Sequence, residues 1–398
     1  MRFSLLACLL VAGLVLASDA ASQAEPGVTP TSILVGGTAP LSGSASAAAS
    51  IALGADAYFR YVNGRGGVHG RTIHYRYLDD GSDPAQTARA ARQLVEQDRV
   101  FAFFNSVGAE PNRAIRPYLN ARGVPHVFVA SGEAALTGRG ARYPWSVSFQ
   151  PSYRAEGRVY GAFLARTRPS SRVSVLFAND ALGKELLGGL ERGLARSRAR
   201  VVAAEPVDAF SSEVQTHVAK LKASGADTLA LFVGPAHVLP AYAATRSLGW
   251  RPFVVLDAAA SSARVLRPAA GASGTVSATF LKDPTDPRWK NDAGIRLYRS
   301  IMARYARSAR IDDVQHVYGM AAAFTLVETL ERVGRELTRA GLVRAAGRLV
   351  VADNPFLLPG VVVRTGVGDR SPVEQFMLQR WQGRRWSSFG GIWGSRGA

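Results

Sequence analysis

Short runs of β-branched and aromatic residues alternate with amphipathic stretches from Ser32 onward, a rhythm that predicts βαβ units and a parallel sheet. ILVGG (33–37) reads as a first strand. A helix follows over 49–62, with Ile51, Leu53, Tyr58 and Val62 near one face. Strands at 71–78, 100–104 and 125–129 continue the series, with helices over 84–97 and 110–122 between them. A second series starts after Pro144, with helices over 153–167, 183–196, 212–224 and 236–247 and strands at 173–178, 200–204, 228–233 and 253–257. A later strand at 275–281 leads into long helices over 288–306 and 313–333. Two terminal strands, 360–364 and 373–381, are joined by a Gly-rich turn signal from Gly366 to Arg370. The pattern predicts an α/β fold of two doubly wound parallel-sheet lobes joined by a hinge with more than one crossover. Residues 25–146 and 282–354 are expected in the first lobe, and 147–281 and 355–398 in the second.

A length of 398 residues favours two compact units over one core, and 47% hydrophobic with 20% charged residues is a globular composition. The exception is the start. Met1 and Arg2 precede FSLLACLLVAGLVLA, which is shorter than the roughly 20 apolar residues a membrane span needs and reads as the core of an export signal. Ser22 and Ala24 are spaced for cleavage after Ala24, with Ala20 as the alternative, so residues 1–24 are expected to be removed. Cys8 lies too early in the apolar run for a lipoprotein site and is lost with it. A mature chain without cysteine has no disulfide, thiol nucleophile or thiolate metal site.

The formal charge of +18 is spread along the chain without an Arg-rich tail or an aromatic-basic stripe, so it reads as a solvated surface and no nucleic-acid partner is expected. His residues are dispersed at 69, 74, 126, 217, 237 and 316, and there is no GxSxG, HExxH, P-loop or GxGxxG. No catalytic site, metal or cofactor is expected. Asp79, Asp80 and Asp83 end a strand and precede Pro84, a spacing that fits turn formation and an N-cap better than a cation loop.

In order and spacing, GGTAPLSG (36–43), NGRGGVHGR (63–71), LDDGSDPAQTARAARQLVEQDRVFAFF (78–104), VPHVFVASG (124–132), LFANDALGKELLGGL (176–190), KASGADTLALF (222–232), SLGWRP (247–252) and LLPGVVV (357–363) resemble the type I periplasmic solute-binding proteins. The resemblance is to the branched-chain amino-acid-binding-protein-like (Leu/Ile/Val-binding) family of ABC transporters, and it covers nearly all of the chain beyond residue 24. It implies a periplasmic, monomeric protein whose lobes close on a small-molecule solute and present it to an ABC permease and ATPase in the inner membrane. A soluble sensor that reports its bound state to a signalling receptor is the alternative.

Ligands of open α/β sheets sit outside the carboxyl ends of the strands, so the loops there are the candidate site. By the resemblance, the first lobe contributes Ser42, Ser44, Asn105, Ser106, Ala109, Ser131 and Gly132. Tyr153 and Tyr318 are implied at the cleft or hinge. The second lobe contributes Leu182 within 179–183, Gly234 in the Gly234-Pro235-Ala236 turn, and Asp257. Asp257 falls where relatives place an acidic partner for a solute ammonium, and an Asp at a strand end also caps or turns; both readings stay open. Leu182, Gly132 and Ala109 stand where relatives often carry an aromatic, a Thr and a Ser. These departures, with segments 104–125 and 357–381, put a branched-chain amino acid in doubt and leave a small amino acid or an organic or aromatic carboxylate as the expected solute.

Overall fold

The computed structural model describes residues 25–43, 45–137, 142–208 and 211–394. The expected export signal and Ser44 lie outside the described residues. β1 (Ser32–Ala39) pairs in parallel with β2 (Thr72–Asp79) and β3 (Ala102–Phe104), and β4 (His126–Val129) and β5 (Ser146–Ser148) extend the sheet in the order β2-β1-β3-β4-β5. α1 (Ala49–Asn63), α2 (Pro84–Arg92), α3 (Ala109–Ala121) and the single turn of α4 (Ala134–Thr137) make the connections. The inner strands β3 and β4 are buried throughout because helices cover both faces, which is why they read as continuous apolar runs without alternation. Ile33, Val35, Phe104 and Val127 pack with Tyr58 and Phe59 of α1, while Phe103 turns to the other face beside Leu94, Ile115 and Leu119. The acidic cluster before α2 acts as its spacing predicts. Asp83 accepts from Gln86 N at 2.7 Å with Pro84 in the first turn, and Asp80 accepts from Ser82 N at 3.0 Å and from Thr87 Oγ1 at 3.1 Å.

The chain then builds a second sheet from β6 (Arg172–Ala178), β7 (Arg200–Val207), β8 (Thr228–Phe232), β9 (Phe253–Leu256) and β10 (Val276–Thr279). These alternate with α5 (Tyr153–Thr167), α6 (Ala181–Leu194), α7 (Val214–Ala223), α8 (Pro235–Ser247) and the short α9 (Ala263–Leu266). α5 and α6 lie close together on one face because glycine lines their contact. A Cβ at Gly157 would stand 2.2 Å from Leu186 O, and one at Gly189 would stand 2.4 Å from Arg154 O. After β10 the chain returns to the first lobe through α10 (Ala293–Tyr305), α11 (Val314–Val333), α12 (Arg339–Ala346), β11 (Val350–Val351) and β12 (Val363–Arg364). It finally re-enters the second as β13 (Gln375–Trp381) and β14 (Trp386–Gly394), giving the sheet order β14-β13-β10-β9-β8-β6-β7.

Two parallel-sheet lobes form, as the fold class predicts, and three element assignments differ from the expected ones. β5, which the 146/147 boundary divides, is the edge strand of the first sheet through Val127↔Val147, so the crossover begins after it. Residues 355–364 stay with the first lobe, because Phe356, Leu357, Val361 and Val363 are buried in the same core as α1 and α11. The two terminal runs do not form a shared hairpin. β12 pairs with β11, where Thr365 Oγ1 accepts from Leu349 N and donates to Ala346 O, and β13 pairs antiparallel with β10 and β14.

Candidate functional site

The carboxyl ends of β1, β3 and β4 form the floor of the first lobe. After β1, Leu41 N and Ser42 N donate to Asp79 Oδ1 at 2.9 and 3.3 Å, so the end of β2 moulds the Ser42 loop. The Ser42 hydroxyl, with the Gly81, Leu41 and Ser42 amides, holds the Asp79 carboxyl below its ordinary range against the opposing effect of desolvation. Ser42 itself is exposed. At the end of β3, Asn105 has φ 52°, a conformation that asparagine tolerates better than most residues, and it is 1% exposed. Among the described residues neither Nδ2 nor Oδ1 of Asn105 has a hydrogen-bond partner. Buried amides are ordinarily paired, so this side chain stands out among the strand-end groups.

Its neighbours are already engaged. Ser106 Oγ accepts from Thr38 N at 3.1 Å and Ser106 O accepts from Asn112 Nδ2 at 2.9 Å, which fastens β3 to β1 and to α3. Ala109 opens α3 and is buried. Ser131 Oγ lies 3.5 Å from Tyr153 Oη, the first residue of α5. Gly132 makes room for that ring. A Cβ there would stand 2.2 Å from Pro151 O and 2.7 Å from the Tyr153 ring. Tyr318 of α11 packs edge-on to Phe149 and Phe280, with centroids 5.5 and 6.0 Å apart, and these two phenylalanines sit where the chain crosses between lobes. Tyr318 is 4% exposed, and its hydroxyl has no partner among the described residues.

The second lobe presents a different chemistry. Asp180 caps α6 through Gly183 N at 3.1 Å, Leu182 is half-buried against the α5/α6 core, and Gly234 caps α8 with open space beside it. Asp257 Oδ2 accepts from Val233 N at 3.2 Å and Oδ1 from Ala260 N at 3.0 Å, the capping and turn arrangement. Beside it Glu156 accepts from Ala258 N at 2.7 Å and from Tyr160 Oη at 2.8 Å. Burial pushes Glu156 up to about 7 against the pull of those two donors, and burial followed by the Glu156 charge lifts Asp257 well above the carboxylate range. Glu156 and Tyr160 were missed by sequence reasoning. Their signal is a glutamate one turn before a tyrosine on the buried face of α5 that also carries Val159 and Phe163.

The lobes also touch away from their crossovers. Glu185 of α6 accepts from Ala134 N of α4 at 2.9 Å and pairs with Arg154 at 3.5 Å, and Arg267 pairs with Asp312 at 2.5 Å. A separate groove of about 430 Å³ lies at the amino end of β5 between Trp145, Arg344, Arg348 and Arg370, away from the strand ends that carry Asn105 and Asp257. Among the described residues no group of three acidic, His or Cys side chains could hold a metal, and no helix is long and apolar enough to cross a membrane.

Comparison with known proteins agrees with this architecture. The family model described as "Periplasmic binding protein" matches residues 32–385. The Leu/Ile/Val-binding protein homolog 3 of Brucella melitensis biotype 1 is 24% identical over 50% of the chain and 53% of its own length, so the match spans about half of that curated relative. A branched-chain amino acid ABC transporter structure from Thermus thermophilus with bound valine has a TM-score of 0.79 at 17% identity, covering 92% of this chain and 96% of that one. A solute-binding protein of an ABC transporter from Rhodopseudomonas palustris BisB5, in complex with 3,4-dihydroxybenzoic acid, has a TM-score of 0.76 at 18% identity, covering 92% and 98%. With its paired open sheets and a family match across nearly the whole described chain, this protein belongs to the periplasmic binding protein family.

Proposed function

We propose that the chain is the extracytoplasmic solute-binding component of an ABC importer, exported to the periplasm with loss of residues 1–24, and that it captures a small carboxylate between its lobes as a monomer. A permease and an ATPase complex in the inner membrane would receive the solute. The observation that carries this reading is the buried, unpartnered side chain of Asn105 at the end of β3. An amide donor there, with the hydroxyls of Ser131, Tyr153 and Tyr318 and the Ser42 loop, suits a carboxylate held by neutral groups. Aromatic walls at Tyr153 and Tyr318 suit a flat or apolar body. Asp257 and Glu156 keep their backbone partners, so a solute ammonium would add a contact to Asp257 without replacing one. Leu182 and Gly234 would edge the second lobe, with Ser44, Ser106, Ala109 and Gly132 shaping the first. The valine and dihydroxybenzoate held by structural neighbours mark the range of solutes to test.

The test is a thermal-shift screen of protein stripped of carried-over ligand by unfolding and refolding, using branched-chain amino acids, amides, aromatic acids and dicarboxylates. A solute at about a hundred times its dissociation constant adds about 2.7 kcal/mol. Asn105→Gly, which suits the positive φ and removes the amide, should retain the fold and weaken a responding carboxylate by about tenfold or more. A validated panel without a single response, or full affinity in Asn105→Gly, would overturn the reading.

A further inference from the structure

We infer that Glu185 and Arg267 act as two latches that hold the lobes closed over the cleft, an assignment that rests on the solute-capture reading above. Both residues belong to the second lobe and both reach the first at points outside the crossover segments. Glu185 lies in the second turn of α6, and its carboxylate accepts the Ala134 amide through both oxygens, at 2.9 and 3.2 Å. Arg154, one residue beyond Tyr153, steadies the same carboxylate at 3.5 Å, so this latch adjoins the helix that begins at the cleft. On the facing lobe Glu133, next to Ala134, is paired with Arg113 at 2.7 Å. Arg267 follows α9 and meets Asp312 just ahead of α11, and Arg310 holds Asp312 from the other side at 3.3 Å.

The two latches differ in their surroundings. The Glu185 side chain is 12% exposed, and its charge-assisted bond is shielded from solvent ions. Arg267 and Asp312 are 36% and 31% exposed, and such a pair is weakened by salt. Both contacts join residues of different lobes, so parting the lobes at these points would break them. Each would then favour the conformation in which it forms, which is the requirement for shifting a two-state equilibrium. A solute trapped by closure should bind more weakly in proportion to the closed population lost.

The experiment compares small-angle scattering of the wild-type protein with Glu185→Ala, Glu185→Gln and Arg267→Ala, each without solute and with L-valine or 3,4-dihydroxybenzoate added, at low and about 1 M salt. Wild type should be the most compact. Glu185→Ala should expand at both salt concentrations, and Glu185→Gln, which keeps an acceptor for the Ala134 amide, should recover most of the compaction. Arg267→Ala should differ from wild type at low salt and converge with it at high salt. For a probe that binds, Glu185→Ala should raise Kd by about tenfold. Identical envelopes for all four proteins, whether compact or expanded, would overturn the inference, as would equal expansion of the Gln and Ala variants. A solute screen without a response would count against the capture reading and leave the ligand-free scattering comparison to decide the latches.

Discussion

Glu156 is a carboxylate that the fold accommodates best when protonated, and its pH dependence can be worked from the structure. It is 2% exposed, accepts from the Ala258 amide and the Tyr160 hydroxyl, and has Asp257 as its acidic neighbour, with no cation bonded to it among the described residues. Burial raises it from 4.5 to about 7. At about 1.4 kcal/mol per unit, that difference makes the ionised form cost about 3 kcal/mol in the folded state. The sign follows from the rise: below pH 4.5 both states are protonated and nothing is lost, the unfolded chain ionises first as pH increases, and the loss is complete once pH passes the folded value of about 7. Glu156→Gln keeps the shape and an acceptor for Ala258 N and Tyr160 Oη while removing the titration. The variant should match wild type within about 1 kcal/mol at pH 5 and exceed its stability by about 2 to 3 kcal/mol at pH 8. Urea unfolding followed by tryptophan fluorescence suits the measurement, since Trp381 and Trp386 are fully buried in the second lobe. A difference between the two proteins that does not change from pH 5 to pH 8 would refute the reasoning.

Gly132→Ala should destabilise the protein by about 2 kcal/mol in thermal or urea unfolding, because its Cβ has only backbone and the Tyr153 ring to displace. Tyr318→Phe removes a buried hydroxyl that has no partner among the described residues, so stability should hold or rise by up to about 1 kcal/mol while titration calorimetry shows weaker binding of any responding carboxylate. Asp257→Asn should shift solute affinity for an amino acid and for a simple carboxylate alike if Asp257 only shapes the β9 turn, and a loss confined to the ammonium-bearing solute would assign it the contact with that group.

The parallel sheets were legible in the sequence because their strands are buried on both faces. Runs such as HVFV and TLALF are apolar without alternation, as strands covered on both faces are, and helices such as α5 begin and end where the periodicity says. The carboxyl-terminal part was less legible for an equally physical reason. β14 carries Gly390 and Gly391 and is exposed over most of its second half, so it lacks the alternation that marks a strand, and only its pairing with β13 defines it. β11 and β12 are each two residues long and are fixed by Thr365 bridging to Leu349 and Ala346, a tertiary contact that no local pattern encodes.

The site divides along the same line. Loop positions follow from topology, so strand ends could be named in advance, but whether a side chain is free or engaged depends on partners distant in sequence. Ser106 and Asn105 are adjacent and look alike as candidates. Ser106 is committed to Thr38, 68 positions earlier in the chain, while Asn105 has no partner among the described residues, and the proposed solute contact rests on this difference. Asp257 illustrates the reverse case, a residue whose type suggests an ionic contact and whose hydrogen bonds go to the Val233 and Ala260 amides beside a second buried carboxylate. Two acids that favour protonation near neutrality make the second-lobe wall a weak attractor for a cation, whereas the first-lobe floor offers neutral donors to an anion. The proposed preference for an organic carboxylate over an amino acid rests on that polarity more than on the loss of any single family residue.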